Sequence, residues 1–217
     1  MAVDQEARTR TSAVARSSLL RRFGAGGTDG NEELTAITAV VLLALLAALG
    51  VTIIRIGALL NEHMFIGMLL LGPVVLKMGS TGYRFTRYYT HNPPYVKKGP
   101  PELPLRLLAP LVVLSTVAVF ATGVVLLLGG QSLRNPWGEI HKLCFFAWVA
   151  FMALHVLGHL PGLPASLRAS SRARRSERPW DDQGAGRGAR AITLASSLVL
   201  GTALAIAVIP LFSAWHR

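Results

Sequence analysis

Long apolar runs alternate along this chain with short polar, basic segments. Five runs stand out: Thr35–Leu59, His63–Met78, Leu105–Leu128, His141–Leu160 and Ala191–Phe212. A hydrocarbon core about 30 Å thick takes about 20 helical residues to cross. Four runs meet that length. The second is shorter, but Lys77 near its end can snorkel while the helix continues into the headgroup layer. Strict apolar–polar alternation is missing and the runs are too long for strands. The pattern predicts an all-α integral membrane helical bundle with five transmembrane helices.

The segments between the runs set the remaining organisation. Residues 1–34 are small and polar, rich in Ser, Gly and Arg, and predict a disordered cytoplasmic tail. The apolar run that follows begins too late and is too long for a secretory h-region. Residues 35–163 form a four-helix unit, residues 164–190 a basic cytoplasmic linker, and residues 191–217 a fifth span with a short outer tail. Between the second and third runs, Tyr83, Phe85, Tyr88 and Tyr89 interleave with Arg84 and Arg87. That mixture suits a helical extension lying in the interface, with rings among the headgroups. The prolines after it predict an extended return. Membrane anchoring is the plain reading of this segment; docking of a quinone or a soluble redox partner is the sharper one.

Charge orients the bundle. The chain has 22 Lys and Arg against 11 Asp and Glu. Seventeen of these cations fall in the N-terminal segment, the loop after the second run and the loop after the fourth. Only Arg55, Arg134, Lys142 and Arg217 fall on the other side. Cytoplasmic loops carry such an excess, so the reading is an N-terminus in the cytoplasm and a C-terminus outside. The heavy use of Ala, Gly and Arg points to a GC-rich bacterium and so to its inner membrane. Anionic lipid accounts for the basic balance. Nucleic-acid binding is not expected, because the cations are split among three loops with no recognition motif. The single cysteine, Cys144, lies inside a run, so no intrachain disulfide can form and no CxxCH haem-attachment motif exists.

Histidines carry the chemistry. His91 and His216 lie outside the runs and read as solvated. His63 and His141 each open a run, and both runs start from the same side. Two imidazoles at one depth on neighbouring helices suit a bis-histidine haem iron, which moves electrons because no coordination position stays open. His155 is fourteen residues after His141, nearly on the same face and about 21 Å along the axis. His159 follows one turn later. Trp148 and Met152 fall on the same stripe and read as packing. Arg55 can pair with a haem propionate or snorkel. Glu62 and Glu139 can fix the imidazole tautomers or face water.

From Glu139 to Leu160 the chain reads EIHKLCFFAWVAFMALHVLGHL, and HMFIG spans His63–Gly67 ahead of a basic, aromatic stretch and a Pro-Pro pair. In these two places it resembles the bacterial cytochrome b561 family, related to the b-type subunits of hydrogenases and formate dehydrogenases. The resemblance covers residues 35–163. It implies a haem-binding four-helix bundle, with His63 and His141 on an outer haem b and His155 on an inner one. It also implies that Gly67 lets the porphyrin approach. The family's ligand near the cytoplasmic end of the first helix has no counterpart in NEELTAITAVVLL, Asn31 to Leu43. One haem is therefore expected, with the inner site empty, altered or lost. The expected role is electron transfer between the quinone pool or a partner subunit and an extracytoplasmic acceptor, with no stand-alone catalytic constellation. Two alternatives stand beside it: a cofactor-free scaffold, and an outer-surface divalent metal site built from His63, His141, Glu62 and Glu139.

Overall fold

The computed structural model describes residues 27–99, 103–159 and 183–215. Among them every regular element is helical. The order is α1 (Gly27–Ile54), α2 (Leu60–Tyr89), α3 (Pro93–Lys98), α4 (Leu103–Gly129), α5 (Arg134–His159) and α6 (Gln183–Ala207). Short 3-10 segments follow α4 (Gly130–Leu133) and α6 (Ile209–Trp215). Four helical segments are long and apolar enough to cross a membrane: Gly30–Ile54, Leu60–Tyr89, Leu103–His159 and Gly188–Ala207. The third is 57 residues long and contains both α4 and α5, which fold back and pack along each other.

Several sequence boundaries shift. Residues 27–34, expected in the tail, open α1, and residues 183–190, expected in the linker, open α6. The rest of that tail and linker lie outside the described residues. Past its apolar run, α2 continues through the aromatic stretch to Tyr89, as the interfacial reading requires. The expected extended return is instead the short helix α3, which Pro93 and Pro94 start at its first positions, where their missing N–H groups cost nothing.

Burial is inverted relative to a water-soluble domain. Thr38, Thr52, Ser80, Ser115, Thr116, Thr122 and Ser197 are buried, while Leu143 and Leu200 are 71% and 68% exposed. Water would penalise that outward apolar surface; lipid does not. Inside a bilayer, small and hydroxylated residues at the interfaces let helices approach closely. Their hydroxyls are satisfied locally, as where Thr38 donates to the Leu34 carbonyl at 2.7 Å.

The helices form two units. In one, α2 packs against both α1 and α6; in the other, α4 packs against α5. Pro73 lies inside α2 and has no N–H, so the Leu69 carbonyl loses its helical donor. Gly201 of α6 sits against that same oxygen, and Gly72 of α2 sits against the Ser197 carbonyl. A methyl group at either glycine would collide with the opposing backbone. The fifth run is thus pressed onto α2. The two units meet through α2 and α4 and through the 3-10 segments, where the Gln131 side chain donates to the Trp215 carbonyl at 3.1 Å. No extended contact joins α2 to α5. The space this leaves is the cleft across which His63 and His141, and Lys77 and His155, interact electrostatically.

Candidate functional site

His63 stands in the first turn of α2. His141 stands near the start of α5, whose regular geometry begins at Pro136. Asn135 before it is extended (φ −111°, ψ 122°), the conformation a following proline favours. The two imidazoles lie near enough to interact electrostatically across the cleft.

Each ring is held from behind by a buried threonine. His63 Nδ1 lies 3.0 Å from Thr52 Oγ1 on α1, and His141 Nδ1 lies 2.9 Å from Thr122 Oγ1 on α4. Thr52 also donates to the Leu49 carbonyl at 2.6 Å, and Thr122 to the Ala118 carbonyl at 2.8 Å. A hydroxyl has one hydrogen, and each is spent on its carbonyl. The oxygen must therefore accept from Nδ1–H. Both rings carry their proton on Nδ1 and keep a lone pair on Nε2, the form in which a histidine ligates a metal.

The surroundings leave room. Gly67, one turn after His63, faces open space: a methyl group there would meet nothing within 4 Å. A methyl group at Gly123 of α4 would lie 3.2 Å from His141 Cε1, so this glycine clears a seat for the ring. Arg55 is exposed in the turn between α1 and α2 at the same end, where its carbonyl accepts from Ala58 and Leu59 N–H at 2.9 Å each.

The two carboxylates take other roles than fixing tautomers. Glu139 pairs with Lys142 at 2.8 Å with both side chains exposed, and Glu62 is exposed. Among the described residues no group of three or more His, Cys, Asp or Glu comes together. The metal site of two imidazoles and two carboxylates is therefore not assembled.

At the other end of the cleft, His155 is differently placed. Its Nδ1 is buried without a hydrogen-bond partner, and its ring meets His159 edge-on at 4.6 Å between centroids. The cation beside them is Lys77, which interacts electrostatically with both rings. Lys77 does not snorkel outward; its ammonium donates to the Thr35 carbonyl of α1 at 2.8 Å. No histidine exists on α1 to complete a pair. Trp148 packs toward α4, donating from Nε1 to Thr116 Oγ1 at 3.0 Å.

Beyond this end, the aromatic stretch folds on itself. Tyr95 of α3 docks edge-on against Tyr83 at 6.1 Å, and Arg87 lies 5.8 Å over the Tyr83 ring. Arg106, from the start of α4, donates to the Tyr89 hydroxyl. Burial pushes the Tyr95 phenol above its ordinary value, and Tyr83 beside it adds to the rise.

Thr52 and Thr122 are the residues that sequence reasoning missed, and a signal for them exists. Thr52 stands five residues before Gly57, and His63 five after Ala58. Thr122 stands nine before Gln131, and His141 nine after Ser132. In an antiparallel hairpin, residues equidistant from the turn share a depth.

No family model matches the chain, and no curated protein or solved structure is matched by it.

Proposed function

We propose that this protein is a membrane b-type cytochrome of the kind that the b561 resemblance suggests. It crosses the bilayer five times, counting α4 and α5 separately, and holds one haem b between His63 and His141. The observation that carries this reading is the matched pair of His–Thr hydrogen bonds. Two helices on opposite walls of one cleft each present an imidazole whose proton is fixed on the far nitrogen. A satisfied structural histidine needs no such matching partner across a gap.

A bis-imidazole haem supplies one-electron exchange without an open coordination position. The chain's own residues do the rest. Thr52 and Thr122 hold the Nδ1 protons and fix the plane of each ring. Gly67 keeps the α2 wall free of side-chain bulk, and Arg55 is the cation available to the propionates. His155 lacks an opposing imidazole, so the residues present do not fit a second bis-histidine haem, and none is proposed. With the cation-rich loops on the cytoplasmic side of a bacterial inner membrane, the haem lies toward the outer face. Its partners are then the quinone pool or a partner subunit on one side and an extracytoplasmic acceptor on the other.

The test is the absorption spectrum and haem content of the purified full chain. A Soret band, a sharp reduced α-band and one haem per polypeptide are expected. Metal content without those bands would replace this reading with an ion site. Neither signal would leave a scaffold.

A further inference from the structure

Four basic side chains gather at the Lys77 end of the cleft. Lys77 and Arg84 are seven residues apart on α2, within about 20° of one helical face. His155 and His159 are one turn apart on α5 with their rings 4.6 Å apart. Lys77 lies within electrostatic range of both imidazoles, and Arg84 of His159. Neither α2 nor α5 supplies the acid that would ordinarily neutralise such a cluster. In sequence, α2 has no acidic residue after Glu62 and α5 none after Glu139. Glu33, at the start of α1, is held by Arg190 of α6 at 2.7 Å.

The donors are also underused. Lys77 spends one of its three hydrogens on the Thr35 carbonyl. His155 Nδ1 is buried with no partner at all. Leaving that nitrogen unpaired is costly, and the tautomer of His155 that carries its proton on Nδ1 can donate it to an acceptor brought by a ligand. Three features describe that ligand. It is anionic, it offers several oxygens to diverging donors, and it sits where α2 passes into its tyrosine- and arginine-rich interfacial turns.

We propose that the Lys77 end of the α2–α5 cleft is a binding site for a phosphate group, presented by an anionic phospholipid. Arg84 and Lys77 supply the charge-assisted hydrogen bonds, and His155 and His159 close the site from the opposite wall. The proposal is independent of the haem reading, because none of these four residues holds the haem at the other end.

The full chain is reconstituted in nanodiscs of phosphatidylcholine, with or without phosphatidylglycerol, and the retained lipid is counted by native mass spectrometry. One phosphatidylglycerol per chain is expected in preference to phosphatidylcholine. Arg84→Gln and Lys77→Gln should each lower its occupancy about tenfold, the scale of one lost charge-assisted hydrogen bond. Arg84→Lys should retain most of the occupancy. Lys97→Gln removes a charge from the same side outside the cluster and should leave the occupancy unchanged. Helicity by circular dichroism and a monodisperse elution profile establish that each variant folds. In a second arm, inorganic phosphate is added to chain in phosphatidylcholine alone. A rise in melting temperature in the wild type but not in Arg84→Gln would keep the site and name free phosphate as its source. The proposal is overturned if neither anion is preferred, or if Lys97→Gln matches Arg84→Gln. A second haem that is lost with His155→Ala would also overturn it.

Discussion

His141 and His155 share a helix and nearly share a face, yet their surroundings differ in kind. His141 is backed by Thr122, faces His63 across the cleft and has Gly123 clearing its ring. His155 has an unpartnered Nδ1, a second imidazole on its own helix and a lysine beside it. The lesson is that spacing along one helix does not make two equal ligands. What separates them is the neighbouring helices. At one end α4 supplies an acceptor for the ring proton and α2 an opposing imidazole. At the other α2 supplies a cation already bonded to a backbone carbonyl.

The largest expected effect tests that asymmetry directly. His63→Ala or His141→Ala should each abolish the haem spectrum, whereas His155→Ala should leave haem content near the wild-type value. Equal loss in all three would erase the distinction between the ends.

Next comes the helix that serves both ends. Gly201→Leu would drive a side chain into the α2 backbone at the Leu69 carbonyl. A loss of about 1–3 kcal/mol or more is expected, visible as a lower melting temperature in detergent. Because α2 carries both His63 and Lys77, haem content and anionic-lipid retention should fall together.

A smaller effect sharpens the outer pair. Thr52→Val and Thr122→Val keep the shape of the side chain but remove the acceptor of the Nδ1 proton. Haem affinity should fall about 10–100-fold, with a shifted reduction potential. Serine at either position should restore most of both, since it returns the hydroxyl. A valine variant with wild-type affinity and potential would show that the threonines only pack.

Much of the bundle is legible in the sequence because crossing lipid demands long apolar runs, and these leave no other reading. The turns that align Thr52 with His63 and Thr122 with His141 are legible in principle by depth. Rotational phase is not. A threonine in an apolar run shares its hydroxyl with its own helix by default, and only the packing of α1 on α2 and of α4 on α5 turns it toward a histidine. The same limit applies to Lys77. Its distance from the interface suggests snorkelling, but the Thr35 carbonyl lies within its reach only once α1 has docked. For α2, the apolar run understates the helix, because aromatic and arginine residues continue it through the interface to Tyr89.

The smallest effect concerns the interfacial turns beyond the Lys77 end. Burial raises the Tyr95 phenol in the folded chain, so folding favours its protonated form. The stability this contributes is fully present below the ordinary phenol value of about 10. It is lost as pH rises through the higher folded value. The difference in phenolate absorbance between wild type and Tyr95→Phe should titrate above that ordinary value. A midpoint at or below it would mean that α3 does not dock.

The seam between Gly72 and Gly201 also sets which substitutions the chain can accept. A contact made by main chain against main chain has no side chain to trim, so it admits no compensating exchange. In a saturation scan of α6, Gly201 should reject even alanine, while the lipid-facing Val199 and Leu200 beside it accept almost any apolar residue. The last helix would then read as a sharply punctuated pattern of forbidden and free positions, one that hydrophobicity alone does not produce.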